Sequence, residues 1–144
     1  MKVSAKTEYA CIAMLELASH YGSEEPVRIR KIAERHAVPP RFLVQILLQL
    51  KGAGLVKSTR GAAGGYHLTR PPEQVSLGEV MQVVEGGAKH NGHTTNASPD
   101  SPAVKALTQA WKEVDAAERA MLNKITLAEL VERTHGRDDQ MYHI

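Results

Sequence analysis

Apolar residues along this chain fall into blocks whose period changes from helical to alternating and back. From Ala5 to about His20, Tyr9, Ile12, Ala13, Met14, Leu15 and Leu17 make a wide apolar face, and Ser4 stands where a helix cap belongs. The stretch from Gly22 to Pro26 breaks that pattern. Val27–Ile29 then predicts a brief extended segment, and residues 31–36 predict a short helix with Ile32 and Ala33 turned inward. Pro39 and Pro40 suit the first turn of a helix, where the missing N–H would be unpaired anyway. They open RFLVQILLQLKGAGLV, in which Phe42, Leu43, Ile46, Leu47 and Leu50 recur at helical spacing until Gly52 and Gly54 end the run. Beyond it, KSTRGAAGGYHLTR at 57–70 places a glycine-rich run between two short alternating segments, the pattern of a β-hairpin.

Further along, Ser76 and Glu79 form a capping box for a helix through about Val84. Residues 86–102, GGAKHNGHTTNASPDSP, hold almost no apolar groups and predict a long loop. Ser101 and Pro102 restart a helix. Along it Val104, Leu107, Trp111, Val114, Met121 and Ile125 keep to three- and four-residue spacing, interrupted by Glu118, and form an apolar seam of coiled-coil type. Such a seam either pairs with its twin in a homodimer or packs on the chain's own first helix. Thr126 and Glu129 make another capping box, opening a short helix LAELVER ahead of an expected loose tail.

The predicted order is helix, short helix, tight turn, helix and hairpin, which is that of a winged helix-turn-helix. In that arrangement the third helix enters the major groove and the hairpin lies on the backbone or minor groove. The fold class expected is mostly α with a small β-hairpin: a DNA-binding domain at 1–75, a connecting helix and loop at 76–102, a dimerisation helix and short final helix at 103–133, and a tail at 134–144.

Charge supports this reading through its distribution. The net charge is only +2, but residues 28–60 carry eight Lys/Arg against the single acid Glu34, whereas six bases face seven acids from Ala103 onward. A basic block in a balanced chain is the footprint of a polyanion binder. Nothing approaches the roughly 18 apolar residues of a membrane span, and MKVSAKTEYA is no signal region, so a cytoplasmic protein without a membrane partner is expected. The one cysteine, Cys11, excludes an internal disulfide and a thiolate metal cage. No nucleophile–base pair or paired carboxylates stand out, and GAAGG lacks the Lys-Ser/Thr of a nucleotide loop, so no enzyme is expected. A protein–protein adaptor built on the same scaffold is the alternative, against which the basic block argues.

The segments STRGAAGGYHLTRP, SLGEVMQVVEG and ITLAEL, with the opening KTEYACIAMLELA, resemble the Rrf-two family of bacterial winged-helix transcription regulators over roughly 1–133. The resemblance implies a homodimer crossed through the long helix, bound to a partly palindromic operator in double-stranded DNA near promoters; the leading reading is a repressor that acts by occluding a promoter. It also points to the start of the third helix and to the wing as the DNA-contacting positions. Arg41 and Gln45, one turn apart, are residue types that grip base edges in pairs of hydrogen bonds, with Phe42 between them and Gln49 a turn further on. Lys51, Lys57, Thr59, Arg60 and Gly61, together with Arg28 and Arg30 at the start of the second helix, are expected at phosphates.

Many members of that family hold an iron–sulfur cluster on three cysteines in the loop before the dimer helix. Here the loop at 86–102 has none, so no cluster is expected. Other sensing candidates are a metal site from His90, His93 and Glu8, the last at a position from which some members supply a ligand to the partner's loop, and a redox switch at Cys11. Loop histidines are more often solvated, and a lone cysteine on an apolar helix face is usually core.

Overall fold

The structure, a computed structural model, describes residues 1–86 and 96–142, with side chains through residue 136. Helix α1 (Ala5–Ser19) is capped by the Ser4 hydroxyl, which accepts from the Thr7 N–H. Its inner face, Ala10, Ala13, Met14 and Leu17, is fully or almost fully buried and forms the centre of the core. Helix α2 (Ile29–His36) and helix α3 (Pro40–Gly52) pack beside it, contributing Ile32 and Ala33, and Leu43, Ile46, Leu47 and Leu50. Between α2 and α3 the chain turns at Ala37, a non-glycine residue in the left-handed region (φ 54°), and the Val38 N–H returns to the Ala33 carbonyl at 3.1 Å. Prolines 39 and 40 then enter α3 as expected.

Strands β1 (Val56–Thr59) and β2 (Gly65–Leu68) pair antiparallel, with Val56 opposite Leu68 and Thr59 opposite Gly65. Val27 is not part of a longer extended run. It makes a single bridge to Tyr66 through N–O contacts of 2.9 and 2.8 Å, and α2 begins already at Ile29. A Cβ on Gly65 would come within 2.5 Å of the Val27 carbonyl oxygen, so glycine there is what lets the hairpin close onto the segment before α2.

Helix α4 (Leu77–Glu85) starts from the Ser76 cap as expected. Helix α5 (Pro102–Lys124) packs on α4, with Gly78 so close to Asn123 that any side chain there would overlap it. Helix α6 (Leu127–Tyr142) follows at once. The junction is tied down by Leu77 N–H to the Ile125 carbonyl at 2.7 Å and Leu127 N–H to the Val75 carbonyl at 2.9 Å, with Leu127 fully buried.

One expectation needs correcting, and one of the two readings of the α5 seam finds no support. The segment expected to be a loose tail after LAELVER instead continues α6 as far as Tyr142. No proline follows Pro102, the Glu129–Arg133 pair at 2.8 Å sits one turn apart, and the single Gly136 costs only about 1 kcal/mol relative to alanine. The seam of α5 does not settle on α1: no residue of this 23-residue helix is buried within the chain.

Candidate nucleic-acid interface

With Leu43, Ile46, Leu47 and Leu50 turned into the core, the helical repeat leaves Arg41, Val44, Gln45 and Leu48 on the outer row of α3, all exposed. Arg41 and Gln45 therefore share a face, as the sequence predicts. Gln49 does not continue it: this side chain is half-buried, and its Oε1 is shielded from solvent without a hydrogen-bond partner. Phe42 is partly exposed, and its ring lies 5.7 Å from that of Tyr9 at 41°. The Arg41 guanidinium carbon sits 5.1 Å from the Phe42 ring centroid, so the Phe42 ring, itself packed against Tyr9, supports the cation from one side.

The hairpin supplies the second half of the surface. Lys57 and Thr59 on β1 and Arg60 and Gly61 at the tip are exposed. Residues 60–64 make the connection, closed by the Gly64 N–H to the Gly61 carbonyl at 2.9 Å, with Gly61 at φ 106°, a conformation that glycine alone adopts without strain. A Cβ on Gly64 would strike the Thr59 carbonyl oxygen. Lys51 stands in the last turn of α3. Among the described residues, Lys51, Lys57 and Arg60 take part in no ion pair, so their charge is left for an external anion.

The two other expected phosphate contacts sit differently. Arg28 precedes α2 and donates from Nη2 to the Ala62 carbonyl at 2.6 Å, so its guanidinium holds the hairpin tip against the helix pair. Arg30 faces Glu34 at 3.4 Å with both side chains largely in water, a pairing of little energetic weight.

Beneath this surface lies a polar cluster that the periodicity did not single out. Glu16, on the inner side of α1 and only 4% exposed, accepts from His36 Nε2 at 2.8 Å through Oε2. Its Oε1 receives His20 Nε2 at 3.2 Å and Arg35 Nη1 at 3.3 Å. Burial works to raise the Glu16 pKa, but the hydrogen bonds from His36 and His20 and the charge of Arg35 outweigh it and hold the carboxyl below its ordinary 4.5. The cluster fastens the end of α2 to α1.

The sensing candidates divide. His90 and His93 lie outside the described residues, while Glu8 is exposed on α1. Among the described residues no three His, Cys, Asp or Glu side chains are arranged to hold a metal ion. The Cys11 thiol is pushed up to about 11, first by burial and then by the carboxylates of Glu85 and Glu8. It stays protonated at neutral pH, the opposite of what a reactive redox thiol needs. On α5, Leu107, Trp111, Val114 and Met121 are each more than half exposed, while Val104 and, just past the helix end, Ile125 are half-buried. No helix among the described residues is long and apolar enough to cross a membrane.

Comparison with known proteins agrees with this geometry. The Rrf2 family, described as an iron-dependent transcriptional regulator, matches residues 3–133. The transcriptional regulator CymR of Bacillus subtilis is 33% identical over 145 residues, spanning the whole of both chains. The structure of that CymR, described as a global cysteine regulator, superposes with a TM-score of 0.77 at 32% identity, over 92% of this chain and 98% of that one. The structure of IscR from T. potens gives 0.75 at 36% identity, over 93% of this chain and 88% of that one. With the family match spanning residues 3–133 and these relatives covering nearly the whole chain, the chain belongs to the Rrf2 family of transcriptional regulators.

Proposed function

We propose that this protein is a homodimeric, sequence-specific DNA-binding repressor of the cytoplasm, acting by occupying a promoter operator rather than by catalysis. The observation that carries the reading is the exposed Arg41/Gln45 row of α3 together with the cations Lys51, Lys57 and Arg60, which take part in no ion pair among the described residues. Arginine and glutamine at the helix start address base edges; the lysines and the hairpin arginine address phosphates. Arg30 adds to the basic field, and Arg28 presents the wing. Thr59 and Gly61 let the hairpin backbone approach the sugar–phosphate chain closely. The second copy, joined through Val104, Leu107, Trp111, Val114, Met121 and Ile125, presents the same surface again, matching a two-fold operator.

On an operator selected from a random duplex pool, Arg41→Ala is expected to lose about 1–3 kcal/mol of discrimination while binding random DNA nearly unchanged. Lys57→Ala is expected to weaken binding to operator and random duplex alike, and to reduce the slope of log K against log salt by about 1 per subunit. Equal losses on both duplexes for Arg41→Ala overturn the assignment of that residue to bases.

The family is described as iron-dependent, but the donor set of this chain does not fit an iron–sulfur cluster. Such clusters are held by thiolates. The sequence has one cysteine, placed on α1 with its thiol held protonated, and none between 86 and 102. We expect protein purified without oxygen to contain neither stoichiometric iron nor acid-labile sulfide; finding both refutes this part of the reading.

A further inference from the structure

We infer that Val44 and Leu48 read thymine 5-methyl groups in the major groove, so that each operator half-site carries A·T pairs beside the base contacted by Arg41. The inference rests on the reading of α3 as the groove-entering helix. Half of the outer row of α3 is apolar: Val44 is 45% and Leu48 57% exposed. Single exposed aliphatics are ordinary on protein surfaces. These two are one turn apart on the same face and lie between Arg41 and Lys51, so they form one contiguous strip inside a cationic frame.

What covers such a strip is decided by its surroundings. A second copy would bring the same frame against itself, and residues 28–60 hold eight bases against one acid, so like charges would meet across the contact. A polyanion with an apolar feature matches both properties. Duplex DNA offers one such feature at base edges, the C5-methyl of thymine, and presents it only in the major groove.

Residue types along the row fit one local pattern. Glutamine pairs with N6 and N7 of adenine, and the partner of adenine on the same base pair is thymine, whose methyl lies beyond O4 at the far end of the same groove edge. Gln45 and Leu48 are three residues apart and Val44 and Leu48 four, so amide and methyl contacts fall on adjoining positions of one face. Valine and leucine at these places also exclude water from the edge they cover. A row of this kind rejects G·C at the methyl positions because nothing apolar is offered there.

The test begins with an operator selected by the wild-type dimer, in which thymines are replaced one at a time by uracil, a change that removes only the methyl. At one or two positions per half-site, affinity is expected to fall about fourfold, the ~0.8 kcal/mol of one buried methyl converted at 1.4 kcal/mol per tenfold. Val44→Ala and Leu48→Ala, both at exposed sites, are expected to fold normally by circular dichroism. Each should abolish the thymine–uracil difference at its own position and leave it intact at the other. Operator-specific binding by wild type with equal affinity for thymine and uracil everywhere overturns the inference and leaves the DNA-binding reading standing. A selected site with no thymine in the groove does the same. Failure to bind any sequence specifically removes both, and a changed oligomeric state in Leu48→Ala reassigns that residue to a protein contact.

Discussion

With Trp111 and Val114 replaced by aspartate, the protein is expected to sediment as a monomer at micromolar concentration and to lose operator binding, while its circular dichroism stays that of the wild type. The two residues are 55% and 60% exposed and stand three apart on α5, in line with Leu107 and Met121. Both are more than half exposed within one chain and no residue of α5 is fully buried there, so the folded monomer is expected to tolerate the substitutions. In a two-fold dimer each change counts twice. Losing about 2 kcal/mol of apolar burial per copy weakens association by about 4 kcal/mol, roughly a thousandfold, before the cost of desolvating carboxylates is added. A monomer grips only a half-site, and the operator advantage of two linked contacts disappears. Persistence of a dimer at nanomolar concentration would mean that the seam of α5 faces something other than its twin.

Much of this architecture is legible in the sequence because local signals and tertiary packing agree. Ser4, Ser76 and Ser101 each sit three residues before the backbone N–H that they cap, and Thr126 does the same for Glu129. The hairpin is readable from its glycines, each of which fits a close approach or a positive φ. What escaped reading depends on contacts distant in sequence. Arg28 looks like another phosphate ligand until Ala62, 34 residues away, is found against it. On α3, Gln49 looks like the third member of the groove face because it is polar, and the helical spacing assigns Leu48 to neither face. Three-dimensional placement leaves Gln49 half-buried and Leu48 exposed, since the inward arc is already filled by Leu43, Ile46, Leu47 and Leu50. The length of α6 was hidden by Gly136, whose cost is a propensity that a single residue cannot impose on a whole helix. The missed Glu16 did leave a trace: an acid among apolar positions of α1, with His20 one turn later.

That acid carries a large expected stability effect of its own. Glu16→Ala leaves His36, His20 and Arg35 facing an empty, almost solvent-free site, the situation in which removing one partner of a buried ion pair costs several kcal/mol. Their side chains are 32%, 30% and 61% exposed and can recover water, which places the loss near the lower end, about 3 kcal/mol, or roughly 10 °C in Tm. Glu16→Gln keeps an acceptor and is expected to lose less. The two variants also separate charge from shape through pH. The Glu16 carboxyl lies below 4.5 in the folded chain, so its stabilisation is complete above that pH and is lost as pH falls through the folded-state value. Urea unfolding followed from pH 7 down to 3 should therefore show wild type and Glu16→Gln converging at the acid end, with the steeper descent in the wild type. Operator affinity at neutral pH should fall in Glu16→Ala as well, because the end of α2 that the carboxylate holds to α1 also sets the angle at which α3 is presented. Parallel acid limbs for wild type and Glu16→Gln would mean that Glu16 contributes through packing alone.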